Sequence, residues 1–283
     1  MKKKIALYII IILIAIYSIF PVYWLINLSF MHAYEVASVP TSYFPTTPTL
    51  NNYLKALGLD PKYVGGHSTW IKRGIQNSLM LAFPTALLAL AIAAPAASAL
   101  GRINSPHKNK WLFLIIMTRS LPPISVVISY YIFYSIVGLA GTLIGLLVVH
   151  LSMATPLITW VLSGFFATLP VEMERAARID GCSRLGALMR IVLPMGAPGI
   201  VACGLLAFLT SWNDFVYALV LTGGTPAQTL QPALAGMFQQ VVEVELMAAA
   251  NTLAMIPPFI LALIFQKYIM NLRIVDPVTV MAQ

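Results

Sequence analysis

Six long apolar stretches, at approximately 5 to 31, 74 to 100, 111 to 137, 140 to 166, 196 to 222 and 246 to 270, restrict this chain to one kind of solvent. Each matches the roughly 20 helical residues that cross a hydrocarbon core about 30 Å thick. Lipid offers the backbone no hydrogen-bond partners, so such runs must close their bonds internally as helices. The expected fold class is therefore an all-α membrane protein with six transmembrane helices. Composition agrees, with 59% apolar and only 9% charged residues, where soluble domains carry roughly 25% charged. Spans and connectors use up the 283 residues, which reads as a single transmembrane domain over 1–283 and leaves no room for a large soluble one.

The first run follows Lys2-Lys3-Lys4 and extends from Ile5 to Met31. A secretory signal has an apolar region of about 7–15 residues and a small-residue cleavage site. This run is longer and has no such site, so it reads as a first span.

The net charge of +8 reads as topology rather than as affinity for nucleic acid, because the basic residues are scattered between apolar runs and form no face interleaved with aromatics. Of the 17 lysines and arginines, twelve fall on the side of the amino terminus. Four, Lys55, Lys62, Lys72 and Arg73, fall on the other, and Arg119 lies inside the third run. Basic residues collect on the cytoplasmic side. Both termini and the segment 167 to 195 are thus expected in the cytoplasm, with 32 to 73 and 223 to 245 outside, in a multi-pass protein of the cell membrane. The external segment 32 to 73 carries Pro40, Pro45, Pro48 and Pro61 and a short amphipathic stretch at Leu50, Tyr53, Leu54 and Leu57, expected as a surface helix. Cys182 and Cys203 fall in the cytoplasmic segment and in a span, so no disulfide is expected. Prolines inside the spans, at Pro84, Pro95, Pro122-Pro123, Pro156 and Pro257-Pro258, are expected to bend their helices.

The cytoplasmic segment is the most polar part of the chain and reads as two short helices with a turn. Pro170 suits a first turn, Glu172 and Glu174 oppose the helix dipole, Glu174 and Arg178 are spaced as an i,i+4 pair, and Gly181 supplies a left-handed stop. Ser183 can cap a second helix through Leu185, Leu188, Met189 and Val192, limited by Pro194. Ala176, Ala177 and Gly181 would let the first helix bring its backbone close to another protein; an amphipathic helix lying on the inner leaflet is the other reading.

The order Ala176-Ala177, Gly181, Ile191, Leu193-Pro194 resembles the cytoplasmic "EAA" loop by which permease subunits of ABC importers dock into their ATPases. Ser211-Trp212-Asn213-Asp214-Phe215 with Tyr217-Ala218-Leu219, Leu121-Pro122-Pro123, Thr49-Leu50-Asn51-Asn52-Tyr53 and Ile256-Pro257-Pro258 are similar to stretches of carbohydrate importer permeases of the maltose/trehalose type, in particular the six-span partner subunit. Two places depart. Arg175 stands where the acid before the two alanines is expected, with Glu174 one place earlier, and the tail after Asn271-Leu272-Arg273 reads IVDPVTVMAQ in place of a glycine-rich ending.

The resemblance implies a permease subunit that forms half of a sugar pathway, with a coupling-helix loop between spans four and five. The substrate it implies is a di- or oligosaccharide. Implied partners are a second permease, two ATPase subunits, an extracytoplasmic sugar-binding protein and membrane lipid, with no nucleic acid. Glu174, Ala176, Ala177, Asp180 and Gly181 would serve ATPase coupling. ATP and magnesium would sit on the ATPase subunits, with no cofactor or metal in this chain.

The chain has no Walker A sequence, no His-Glu-x-x-His and no Gly-x-Ser-x-Gly, so it reads as a transport subunit and not an enzyme. Ionisable groups in the bilayer are costly and point to function or to specific packing. His150 is expected to bond within the bundle, and Arg119 to orient or pack the third span. Asp214, with Trp212 and Asn213, either faces a polar pathway or packs helices. Tyr217, Tyr130 and Tyr131 offer the aromatic faces and hydroxyls that sugars use and are candidate pathway residues. A polyol or glycerol-phosphate permease stays open, although a phosphate would favour more than one membrane cation. A self-sufficient secondary carrier also stays open, although it would show paired broken helices and midplane carboxylates for ion coupling.

Overall fold

The computed structural model describes residues 2–40, 42–61, 67–102, 105–240 and 243–270. Lys62, Arg273 and the divergent tail lie outside them. The described residues are helical, with no strand among them. In chain order the helices are α1 (Lys2–Ser29), α2 (Ala33–Val36), α3 (Asn51–Ala56), α4 (His67–Arg102), α5 (Lys108–Met117), α6 (Pro123–Ile136), α7 (Leu143–Ala167), α8 (Val171–Ile179) and α9 (Arg184–Ala187). A π-helical turn, Leu188–Val192, joins α9 to α10 (Leu193–Met195). Then follow α11 (Ala197–Trp212), α12 (Val216–Thr222), α13 (Leu230–Gln240) and α14 (Val244–Met270).

Four helices are long and apolar enough to cross a bilayer, over Leu7–Ser29, Thr69–Arg102, Leu143–Ala167 and Val244–Tyr268; the pair Arg184–Met195 and Ala197–Trp212, bent by 83°, adds a fifth. The other departure from six continuous spans has a local cause. The third apolar run stops at Met117 and resumes at Pro123, because the residue before a proline is pushed out of the helical region, and Pro122 stands extended at φ −60°, ψ 131°. The fifth run stops at Trp212 and resumes at Val216. By contrast Pro84 and Pro95 lie inside α4, and Pro156 inside α7, without ending either helix.

The chain divides into two compact units, residues 1–75 with 232–257 and residues 76–231 with 258–283. In the first, α1 exposes an almost wholly apolar surface from Ile5 to Phe20. Below it the chain is tied by amide side chains: Asn52 on α3 donates to the Ser29 and Met31 carbonyls at 3.0 and 2.8 Å, and Tyr53 shares a 2.5 Å hydrogen bond with Ser29. The amphipathic stretch within 32 to 73 is thus a helix, and its polar Asn52 is turned inward. Glu35, 3% exposed, gathers the loop after α2. Its carboxylate accepts the Thr46 hydroxyl and the amides of His32 (3.0 Å), Thr46 (2.8 Å) and Thr47 (3.3 Å).

The second unit is built on α7, whose buried positions Leu146, Val149, His150, Ala154, Ile158, Leu162 and Phe166 recur every three or four residues. Its amino-terminal half joins a core of Leu81, Val127, Tyr134, Tyr217 and Leu221. Its other end depends on missing side chains. A Cβ on Gly101 of α4 would stand 2.6 Å from the Ser163 carbonyl oxygen, and one on Gly199 of α11 would collide with the Phe165 ring. Glycine there lets helices approach to backbone contact.

Hydrogen bonds from the Thr46 hydroxyl first and the His32 amide next hold the Glu35 carboxyl at about 2, below its ordinary 4.5. A carboxyl depressed by folding contributes stability that is complete above its unfolded pKa and is lost as pH falls toward the folded one. The segment 32–50 should therefore resist peptic cleavage above about pH 4.5 and open progressively toward pH 2. Glu35→Gln should be cleaved readily at every pH in that window, and equal pH dependence of variant and wild type would refute the assignment.

Candidate functional site

Three features of the second unit carry chemistry: the polar segment between α7 and α11, a buried hydrogen-bonded set in the fifth apolar run, and a cavity at the break of the third.

Helix α8 opens with Glu172 and Glu174 and ends in a Schellman turn. The Cys182 amide donates to the Ala177 carbonyl at 3.0 Å and the Gly181 amide to the Arg178 carbonyl at 3.2 Å, with Gly181 at φ +90°. The expected left-handed stop is present. Ser183 caps α9, its hydroxyl accepting the Gly186 amide at 3.0 Å. The second helix is shorter than its pattern suggested, since it widens into the π turn before Pro194.

Glu174 does not use Arg178. Its carboxylate meets the Arg102 guanidinium at the end of α4, at 2.6 Å, with the two side chains 24% and 9% exposed. A guanidinium so enclosed needs a counter-charge, whereas Arg178 is exposed and hydrated. The outer face of α8 presents Met173, Ala176 and, at 85% exposed, Ile179. Asp180 and Gly181 are also exposed. Ala177 instead turns into the chain's own packing, so the small residue available for close approach by another protein is Ala176.

In the fifth run, His150 of α7 bonds Ser211 through Nδ1 at 2.7 Å and Asp214 through Nε2 at 3.1 Å. The same carboxylate oxygen accepts the Ala218 amide at 2.9 Å, capping the first turn of α12. Ser211, His150 and Asp214 have the residue types of a hydrolytic relay, but the serine is only 5% exposed, enclosed in the packing beside the imidazole. The set brackets the interruption in the span. Of the candidate pathway residues, Trp212 is buried against Phe208 in a stacked pair with rings 5.6 Å apart, and the Asp214 side chain is spent on His150 and Ala218. Asn213 and Tyr131 are exposed. Tyr130 and Tyr217 meet edge to face at 5.8 Å.

Those two tyrosines line a cavity of about 250 Å³ together with Thr118, Arg119, Leu121 and Ser152. Arg119 makes no side-chain hydrogen bond or ion pair among the described residues, so it does not pack the third run through a polar partner. Its place in a cavity wall was not legible from its depth in the apolar run. The adjacent Pro122-Pro123 was the available signal, since a helix stop inside the bilayer must border protein or a cavity.

Residues 89–272 match the family model described as binding-protein-dependent transport system inner membrane component. The chain is 32% identical over 272 residues to the trehalose/maltose transport system permease protein MalG of Thermococcus litoralis, covering 95% of this chain and 94% of that one. It is 30% identical over 256 residues to the sulfoquinovosyl glycerol transport system permease protein SmoH of Agrobacterium fabrum, covering 90% and 86%. Its fold is similar to a chain of a bacterial ABC transporter that imports the acidic polysaccharide alginate, with a TM-score of 0.75 and 18% identity over 94% of this chain and 95% of that one.

If the Arg102–Glu174 pair anchors α8, Glu174→Ala should leave a nearly buried guanidinium unpaired and destabilise the folded chain by about 1–3 kcal/mol. Arg102→Glu alone should do the same, and the double exchange Arg102→Glu with Glu174→Arg should recover part of the loss. Thermal melts of the purified protein measure this cycle; additive losses in the double variant would mean that the pair is not coupled.

Proposed function

The chain belongs to the family of binding-protein-dependent transport system inner membrane components, the membrane permease subunits of ABC importers, and from that premise we propose a saccharide importer whose motion is driven through α8. The observation that carries the proposal is α8 itself. It is a short helix bound to its own chain by Glu174 and Ala177, while Met173, Ala176 and Ile179 remain uncovered beside the Gly181 turn. An exposed surface on which Met173, Ala176 and Ile179 stand among Glu172, Arg175 and Arg178 suits a groove on a partner protein that offers both apolar and charged contacts. The chain supplies no nucleotide site, so the partner supplies ATP hydrolysis.

The complete importer in this reading contains a second permease, two ATPase subunits with their ATP and magnesium, and an extracytoplasmic sugar-binding protein. The substrate is a di- or oligosaccharide, supported by the trehalose/maltose system to which one relative belongs; the sulfoquinovosyl glycerol system of another supports a glycoside more broadly. Six crossings follow when α5 with α6 and α11 with α12 each count as one broken span. Both termini and α8 then face the cytoplasm of the cell membrane, in line with the distribution of lysine and arginine. In that arrangement Ala176, Gly181 and Asp180 contact the ATPase, while Glu174 and Ala177 hold the helix in place from behind.

Orientation is tested in intact cells after Cys182 and Cys203 have been replaced. A membrane-impermeant thiol reagent should label a cysteine introduced by Ser42→Cys and spare one introduced by Ser183→Cys; the reverse pattern inverts the topology.

Coupling is tested with the reconstituted complex. Gly181→Asp places a side chain at φ +90°, a conformation that costs about 1 kcal/mol or more, and Ala176→Trp overfills the outer face. Both should leave membrane insertion intact while ATPase co-purification or trehalose- or maltose-stimulated hydrolysis falls. Normal stoichiometry and normal stimulation in both variants would remove α8 from the coupling path.

A further inference from the structure

Two helices stop inside apolar runs of the chain, one before 118–122 and one before 213–215, and residues next to both stops line the same cavity of about 250 Å³. Arg119 stands two residues after Met117, the last residue of α5, and eight residues into the apolar run that begins at 111. At 1.5 Å per residue that is up to about 12 Å into a core roughly 30 Å thick. Irregular backbone persists in the bilayer only where protein buries it or a polar cavity borders it, and interrupted helices recur at the substrate sites of transporters.

The Thr118 and Ser152 hydroxyls in the cavity wall donate to the Ile115 and Val149 carbonyls at 2.7 Å, while its three other polar groups are left open by the protein. Neither the Arg119 guanidinium nor the hydroxyls of Tyr130 and Tyr217 bond to any described residue. The two tyrosines are nevertheless held in place. The Tyr130 ring meets Tyr134 and Tyr217 edge to face at 5.9 and 5.8 Å, and Tyr217 is buried in the first turn of α12, which Asp214 caps one residue further on. Two fixed tyrosines beside an exposed guanidinium with no internal acceptor form a surface ready for oxygen-rich solute.

We propose that this cavity is a transit subsite for one saccharide unit, with the Arg119 guanidinium donating to adjacent ring hydroxyls and Tyr130 and Tyr217 supplying further hydroxyls and an aromatic wall. The subsite rests on the saccharide reading above. A planar guanidinium offers paired N–H donors that fit neighbouring oxygens. Among the lining residues it is the one cation, which suits hydroxyls better than a phosphate dianion. This chain therefore contacts the sugar itself, in addition to coupling the pathway to ATP hydrolysis.

The test uses the full complex in proteoliposomes with its binding protein and with radiolabelled trehalose and maltose as probes. Loss of a hydrogen bond to a charged donor corresponds to about a tenfold effect or more. Arg119→Gln should lower sugar taken up per ATP hydrolysed by that order. Tyr217→Phe, which keeps the ring and removes only the hydroxyl, should lower it in the same direction and carries the test if Arg119→Gln does not assemble. In a background lacking Cys182 and Cys203, a cysteine introduced by Ser152→Cys should react with N-ethylmaleimide several-fold more slowly while a transported sugar is passing. An unchanged uptake-to-hydrolysis ratio in the variants, or labelling at position 152 that a transported sugar leaves unaltered, overturns the subsite alone. Wild-type vesicles that take up neither sugar overturn the saccharide reading and the subsite with it.

Discussion

Inside a bilayer every backbone amide and carbonyl needs a partner from the protein, and the second unit is organised by how it meets that demand where its helices stop. At 213–215 the demand is met by a side chain: Asp214 accepts the Ala218 amide and is held from the facing helix by His150, which Ser211 holds in turn. At 118–122 it is reduced at source. Pro122 and Pro123 have no N–H to leave orphaned, and the Thr118 hydroxyl donates to the Ile115 carbonyl at 2.7 Å. The two breaks use different chemistry and border one cavity.

Helix α7 connects that cavity to the polar segment on the other side. His150 lies in its first half; its last turns carry Ser163, against which Gly101 packs, and Phe165 and Phe166, which fill the space left open at Gly199 and Gly196. Contacts this close tolerate little sliding, because any approach meets backbone atoms or an aromatic ring. Arg102 with Glu174 adds a charged tie between α4 and α8. Force applied to the outer face of α8 thus meets a frame of helices, not a loose loop.

What could be read along the chain was whatever depends on neighbours three or four residues away. The α3 helix, the glycine stop after α8 and the Ser183 cap are local, set by periodicity and backbone conformation, and each stands where its residues indicated. The breaks in two spans were half legible. Pro122-Pro123 and Asn213-Asp214 were visible as residues, but proline also sits inside the unbroken α4 and α7, so composition alone did not separate a bend from a stop.

The partners of charged and aromatic groups belong to the other category. Glu174 has Arg178 one turn away and bonds Arg102 instead, because burial of the guanidinium at the end of α4 outweighs a solvated pair along a helix surface. Ala176 and Ala177 are alike in sequence, and packing of α8 turns only one of them outward. Trp212 and Tyr217 belong to one motif, yet one ring fills the core while the other lines a cavity with Arg119, from a different helix. By itself the sequence determined the solvent, the helical class and the turn chemistry of the polar segment 167 to 195, since these follow from local pattern and charge. Which groups remain unsatisfied, and so free to meet a solute or a partner, was decided only when distant helices packed and used up the rest.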